Sequence, residues 1–143
     1  MKNFCVALLL LLPLLGIGQC VKCTTFTEAQ KDPAKVTSIK MNSYLADEEI
    51  TKIPDNIGDY SNLEELYLTD YGFTELPASF AKLKNLKSLS LAGNEFTQLP
   101  ESVFQLTQLK ELILFSNAFP DQYKKDLKAR IQKEMPNTKL MID

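Results

Sequence analysis

The chain has 143 residues, one domain's worth, and 45 % of them are hydrophobic, enough to build a core. Its formal charge of −2, from 16 basic and 18 acidic side chains, argues against nucleic acid as the main partner. It contains no histidine, which excludes Ser-His-Asp and Cys-His nucleophilic systems and c-type haem attachment, and its 5 glycines form no phosphate-binding loop.

The chain begins "MKNFCVALLLLLPLLGIGQC", with Lys2 ahead of an apolar run from Val6 to Leu15 and then the small residues Gly16 and Gly18. This is the pattern of a secretory signal peptide over residues 1–18, cleaved before Gln19; the apolar run is too short for a membrane-spanning helix. It directs the protein outside the cytoplasm, secreted or into the periplasm and cell envelope. A rival reading makes Cys20 the lipid-anchored residue of a bacterial lipoprotein, although Gln19 is bulky where that signal wants a small side chain.

Residues 19–35 read as an N-terminal cap segment. Cys20 and Cys23 form C-V-K-C, and in an exported protein a disulfide between them is the expectation, with a small entropic contribution because the loop is tiny. The alternative is a thiol–disulfide oxidoreductase using Cys20 and Cys23, but that motif belongs at a helix N-terminus beside a βαβ pattern. Zinc has neither a second cysteine pair nor a histidine to bind it. Thr25-Phe26-Thr27-Glu28 has the form of a capping box. It predicts a short helix from Phe26 to about Lys31, stopped by Asp32-Pro33, with Phe26 and Ala29 facing the next segment.

From residue 36 to 119 the chain repeats itself. Residues 63–85 and 86–108 are each 23 long and identical at 9 positions: L-x-x-L-x-L, F-T-x-L-P, a serine and a late leucine. Residues 109–131 begin the pattern again with Leu109, Leu112, Leu114, Asn117 and Phe119. Residues 36–62 are a worn copy with Val36, Ile39, Met41 and Ile53-Pro54; they number 27, so about four extra residues sit near "LADEE". A period of this length marks a solenoid of stacked coils. The alternation at Leu89 and Leu91 is that of a short strand with one buried face, leaving Ser88, Ser90 and Ala92 outward. Asn94 ends the strand and offers an amide to backbone groups in the turn. One coil cannot bury its own leucines, so stability comes from contacts between neighbours.

Residues 120–143 replace the repeat. Tyr123, Leu127, Ile131 and Met135 are spaced by four and make one apolar stripe on a helix between Pro120 and Pro136. "TKLMID" then alternates Leu140 and Ile142 inward as an edge strand, with Lys139 and Asp143 discouraging further pairing.

The motif L-x-x-L-x-L-x-x-N-x-F/L-x-x-L-P, clearest in residues 63–108, resembles the leucine-rich repeat family. "AQKDPAKVTSIKM" and "MPNTKLMID" resemble the entry and exit segments of its small secreted bacterial members. The resemblance implies an α/β leucine-rich repeat solenoid: a short right-handed arc with a parallel sheet on its concave face and helical caps at both ends. Tyr44 and Tyr71 depart from the pattern, standing where Asn94 and Asn117 stand later; their phenols must find partners at the rim or point to solvent. The resemblance also implies protein–protein recognition on the concave face.

That face is expected to carry Lys40, Glu65, Tyr67, Thr69, Ser88, Ser90, Glu111, Ile113, Phe115 and, from the edge strand, Met141. Small residues in the third repeat suggest a shallow dip between Tyr67 and the Ile113/Phe115 pair. Ile113 and Phe115 are candidate hot-spot residues, or else they shield one another and Met141 beside the cap. The acidic "ADEE" of residues 46–49 lacks the glycine-containing spacing of a calcium loop and reads as solvated. The expectation is therefore a non-catalytic, cofactor-free protein-binding module, with an enzyme inhibitor or accessory subunit as one form of it.

Overall fold

The computed structural model describes residues 21–45 and 48–143. The expected signal peptide, Cys20 and residues 46 and 47 lie outside the described residues. Six strands form one sheet in chain order: β1 (Lys22–Cys23), β2 (Ser38–Asn42), β3 (Glu65–Thr69), β4 (Ser88–Ser90), β5 (Glu111–Ile113) and β6 (Lys139–Met141). Every neighbouring pair is parallel. A parallel sheet needs a crossover after each strand. Here the crossovers are the outer segments of the coils, made of 3₁₀ turns at Ile57–Asp59 and Ala78–Lys82 and the four-residue helix α2 (Glu101–Phe104).

The strand register reproduces the sequence period. Ile39, Leu66, Leu89, Leu112 and Leu140 stand in one row across the sheet. The first four are fully buried, and so are Leu68, Leu91 and Leu114 in the next inward row. On the outer side Ile57, Phe80 and Val103 form a matching buried row, as do Phe73, Phe96 and Phe119. Each leucine therefore meets its counterparts in the coils before and after it, and the core is continuous from end to end. The extra residues of the first repeat lie between Ile39 and Ile53, because Ile53-Pro54 and Leu76-Pro77 are again 23 apart.

The turn after each strand is where the coils are fastened. Asp70, Gly93 and Ser116 occupy the same turn position in three successive coils, and all have left-handed backbones, with φ of 64°, 66° and 55°. At Gly93 a second constraint applies: a Cβ there would lie 1.8 Å from Asp70 Oδ1. The next residue in the two later coils is the asparagine. Asn94 is 4 % exposed. Its Oδ1 accepts from Tyr71 N at 3.2 Å and Phe73 N at 3.0 Å, while its Nδ2 donates to Leu68 O at 2.8 Å and to Leu91 O at 2.9 Å. One side chain thus satisfies the turn of its own coil and of the coil before. Asn117 repeats the arrangement, donating to Leu91 O at 2.9 Å and Leu114 O at 3.0 Å and accepting from Phe96 N at 3.1 Å. A second pair of amides works on the opposite side of the coils. Asn62 Nδ2 donates to Ala34 O and Asn85 Nδ2 to Ser61 O, each reaching the preceding coil.

Both ends are capped. Helix α1 (Phe26–Ala29) is shorter than its capping box suggested, and it buries Phe26 and Ala29 over the first coil. Thr25 Oγ1 accepts from Glu28 N at 3.1 Å. Glu48 reaches the same helix start from a distance: its carboxylate accepts from two first-turn amides, Phe26 N at 2.6 Å and Thr27 N at 3.2 Å. Glu48 was read as a solvated acid of the "ADEE" bulge; the first-turn amides of α1 give it a structural partner instead. At the other end α3 (Asp121–Glu134) lays Leu127 and Ile131 on the last coil, with Met135 buried just past its end. Tyr123 Oη accepts from Leu99 N at 2.7 Å, and Arg130 ties α3 to α2 through a two-pronged contact with Glu101 at 2.7 and 2.6 Å. Asp143, expected to guard the sheet edge, instead accepts from Ser116 N at 3.2 Å and closes the last turn. Lys139 is exposed on the edge strand itself, and Asp143 is exposed just past its end.

Replacing Asn94 with alanine orphans buried amides and carbonyls in two coils at once. We expect Asn94→Ala to lower stability by about 3 kcal/mol, and Asn117→Ala, at a half-buried site, by less, in urea unfolding. Gly93→Ala is expected to cost ~2 kcal/mol or more, from the left-handed backbone and the collision with Asp70. Asp70→Gly in the same background should recover part of that loss.

Candidate protein-binding surface

Alternation along the strands leaves three columns of side chains on the outward face of the sheet. The first column is Ser38, Glu65, Ser88, Glu111 and Lys139; the second is Lys40, Tyr67, Ser90, Ile113 and Met141. The third begins with Asn42 and Thr69 and continues with Ala92 and Phe115 just past the ends of β4 and β5. All ten of the face residues expected from the sequence fall in these columns.

The two halves of this surface differ in chemistry. Over β2 and β3 the polar groups satisfy one another. Lys40 Nζ lies 3.0 Å from Glu65 Oε2 and 4.7 Å from the centre of the Tyr67 ring. Ser38 Oγ donates to Glu65 Oε2 at 2.9 Å. The hydrogen bonds from Lys40 and then Ser38 hold the Glu65 carboxyl below the usual carboxylate range, outweighing the opposing effect of burial. Tyr67 Oη is 2.9 Å from Ser88 Oγ, which also donates to Glu111 Oε2 at 2.9 Å.

Over β5 and β6 the surface is apolar. Leu112 and Leu114 are fully buried, whereas Phe115 is 42 % exposed and Ile113 and Met141 are half-buried. Ser90, expected as part of the open surface, is only 3 % exposed. It stands in register between Tyr67 and Ile113, and these larger neighbours leave a side chain of its length at the bottom. A recess of about 340 Å³ opens nearer the front of the sheet, lined by Thr24, Lys40, Met41, Asn42, Leu45, Tyr67 and Thr69. Its rim is the insertion in the first repeat, where Tyr44 and Leu45 are 83 % and 86 % exposed.

A family model described as "Leucine rich repeat" matches residues 44–119, just over half of the chain. The chain is a leucine-rich repeat protein. Among solved structures, this leucine-rich repeat chain is similar to a leucine-rich repeat protein of Leptospira interrogans, at 30 % identity and a TM-score of 0.55. The match covers 73 % of this chain and 24 % of the other, so this chain spans about a quarter of that relative's length. The comparison with curated proteins finds no match. Leucine-rich repeat domains generally mediate protein–protein interaction.

The two positions that depart from the asparagine pattern of the repeat resolve differently. Tyr44 points to solvent, as expected. Tyr71 does not: its ring stacks on Phe73 at 5.2 Å, and its hydroxyl is buried with no hydrogen-bond partner among the described residues. Ring packing governs this side chain, and burial, with a smaller effect of Glu48, pushes its phenol up from the ordinary range. Cys23 is 2 % exposed at the end of β1, in register with Ile39; its expected partner Cys20 lies outside the described residues. No helix of the described residues is long and apolar enough to cross a membrane.

Several features of the surface were not evident in the sequence. The insertion that lifts Tyr44 and Leu45 has no hydrophobic period to reveal it. The link from Glu48 to α1 spans 22 residues, beyond the reach of local capping rules. The one available signal was the 27-residue length of the first repeat, which marks an insertion but not its contacts.

The depressed Glu65 carboxyl gives a direct check. Its folded state favours the charged form, so its contribution is present above the unfolded value and fades as pH falls through the folded one. At this partly exposed position the contribution to stability is small. Carbon-detected NMR titration should find Glu65 below the ordinary glutamate range, and Lys40→Met should move it upward.

Proposed function

We propose that this protein is an exported, non-catalytic recognition module that binds a protein partner on the concave face of its sheet. The observation that carries this reading is Phe115. It sits beyond the end of a strand whose inward neighbours are fully buried, yet 42 % of it faces solvent, beside half-buried Ile113 and Met141. An aromatic exposed next to aliphatic side chains on a rigid scaffold is the usual anatomy of an interface anchor. Lys40, Glu65 and Tyr67 hold one another in place, so the rest of the face presents a preorganised polar surround. An enzyme inhibitor or accessory subunit is one form of this function, since a partner that is itself an enzyme leaves the physics of the contact unchanged.

Export rests on the N-terminal pattern of residues 1–18, and the disulfide between Cys20 and Cys23 follows from it. Burial of Cys23 favours a structural role over thiol chemistry, because a reactive thiolate needs access. Titration of thiols in the purified exported protein is expected to find none free at these two positions, and insulin reduction is expected to be absent.

The decisive test is affinity capture from the exporting cell with wild type and Phe115→Ala. Loss of the captured partner with an unchanged melting temperature supports the reading. A melting temperature lowered by several degrees would make Phe115 a packing residue and remove the anchor.

A further inference from the structure

The repeats of this chain serve as internal controls for one another, and one of them lacks a charge. Glu65 in β3 and Glu111 in β5 occupy the same column of the outward face. Glu65 receives an ammonium, Lys40 Nζ, at 3.0 Å and a hydroxyl, Ser38 Oγ, at 2.9 Å. Among the described residues, Glu111 receives only the hydroxyl, Ser88 Oγ, at 2.9 Å. Lys40 reaches Glu65 from the preceding strand and the next column; the residue so placed relative to Glu111 is Ser90, which carries no charge and cannot extend that far. Lys139 is the register neighbour of Glu111 on β6, and the two form no ion pair. The acceptor is therefore built as in β3, with its cation missing. Beyond it come Ile113 on the same strand and Phe115 just past its end, where Tyr67 and Thr69 follow Glu65.

Resting on the reading of this face as a protein-binding surface, we propose that the partner supplies the cation. It presents a lysine or arginine side chain to the Glu111 carboxylate and, next along the sheet, an apolar side chain to Ile113 and Phe115. Residues two apart on an extended segment are separated by about 7 Å, the spacing of Glu111 and Ile113 along their strand. A basic residue followed two positions later by a large apolar one matches both anchors. The ion pair specifies the partner and its register, while the apolar contact holds it.

The probe is a pair of short peptides, acetyl-Arg-Ala-Phe-amide and acetyl-Gln-Ala-Phe-amide, titrated into isotope-labelled full-length protein at low salt and followed by amide NMR shifts. Binding of the arginine peptide is expected to be about threefold tighter, the modest gain of a solvent-exposed ion pair. That advantage should disappear in Glu111→Gln and at high salt, whereas Phe115→Ala should weaken both peptides alike. Equal affinities in the wild type overturn the proposal while leaving the face as an interface, provided both peptides shift residues around Ile113. Absence of shifts at that face for either peptide overturns the proposal and the concave-face reading together.

Discussion

The structure depends on amide groups that belong to two coils at once. Leucines stacked in rows would bury themselves equally well with some slippage between coils, because apolar contact has no direction. The amides of Asn94 and Asn117 do have direction. Each reaches backbone groups in its own turn and in the coil before it, and these bonds lie in or at the edge of a dry core where an unpaired group is costly. At the far corner of the coil the exposed Asn62 and Asn85 each add one bond to the segment before. The register of the sheet, and with it the columns of the outward face, is thus fixed at two corners by hydrogen bonds and filled between them by leucine. The left-handed turn at Asp70, Gly93 and Ser116 is the local condition for this, since it brings the strand end round to where the next residue's amide can serve.

The first repeat has Tyr44 where the asparagine belongs, and a different device appears there. Asn42, two residues earlier, turns its Oδ1 to Tyr44 N at 2.9 Å and its Nδ2 to Asp70 Oδ2 at 3.0 Å. The same Asp70 forbids a side chain at Gly93, so the identity of one turn residue constrains the coils on both sides of it. Past the insertion the chain is held at Glu48. Glu48 fastens it to the first turn of α1, a helix too short to stand without packing and capping from outside. The front cap and the insertion hold each other, which explains how a chain can lift Tyr44 and Leu45 into solvent without loosening the coil beneath them.

Much of this was legible in the sequence because a tandem repeat states its own alignment. Once residues 63–85 are laid over 86–108, the buried rows, strand centres and outward columns follow by counting, and Leu66, Leu89 and Leu112 do lie side by side. The capping stripe of α3 was legible for the same reason, being a strict period on a longer segment. What was not legible is what depends on distance rather than on period. β1 is two residues long, too short to show alternation; it pairs with β2 at Lys22 and Cys23, and Val21 O just before it accepts from Thr37 N and Ser38 N. Ser90 has the right column and the wrong exposure, because its burial is set by the size of its neighbours. Tyr71 follows its ring rather than its hydroxyl, a competition between packing and hydrogen bonding that counting cannot decide.

The outward face carries the consequence for function. A solenoid repeats its backbone, so differences between one coil and the next are confined to side chains that the scaffold does not need. In the front half those side chains satisfy one another: ammonium, carboxylate, ring and hydroxyl are linked through Lys40, Glu65, Tyr67 and Ser88. A group already satisfied gains little from a partner, because contact only exchanges one hydrogen bond for another. In the rear half the carboxylate of Glu111 has a hydroxyl but, among the described residues, no cation, and the side chains beside it are apolar and part-exposed. Since both halves stand on the same backbone, the contrast cannot come from the demands of folding. It lies in the residues free to vary, and it puts the unsatisfied chemistry at the end of the sheet nearest the C-terminal cap, where α3 and the ring stack of Phe119 on Tyr123 stiffen the supporting coil.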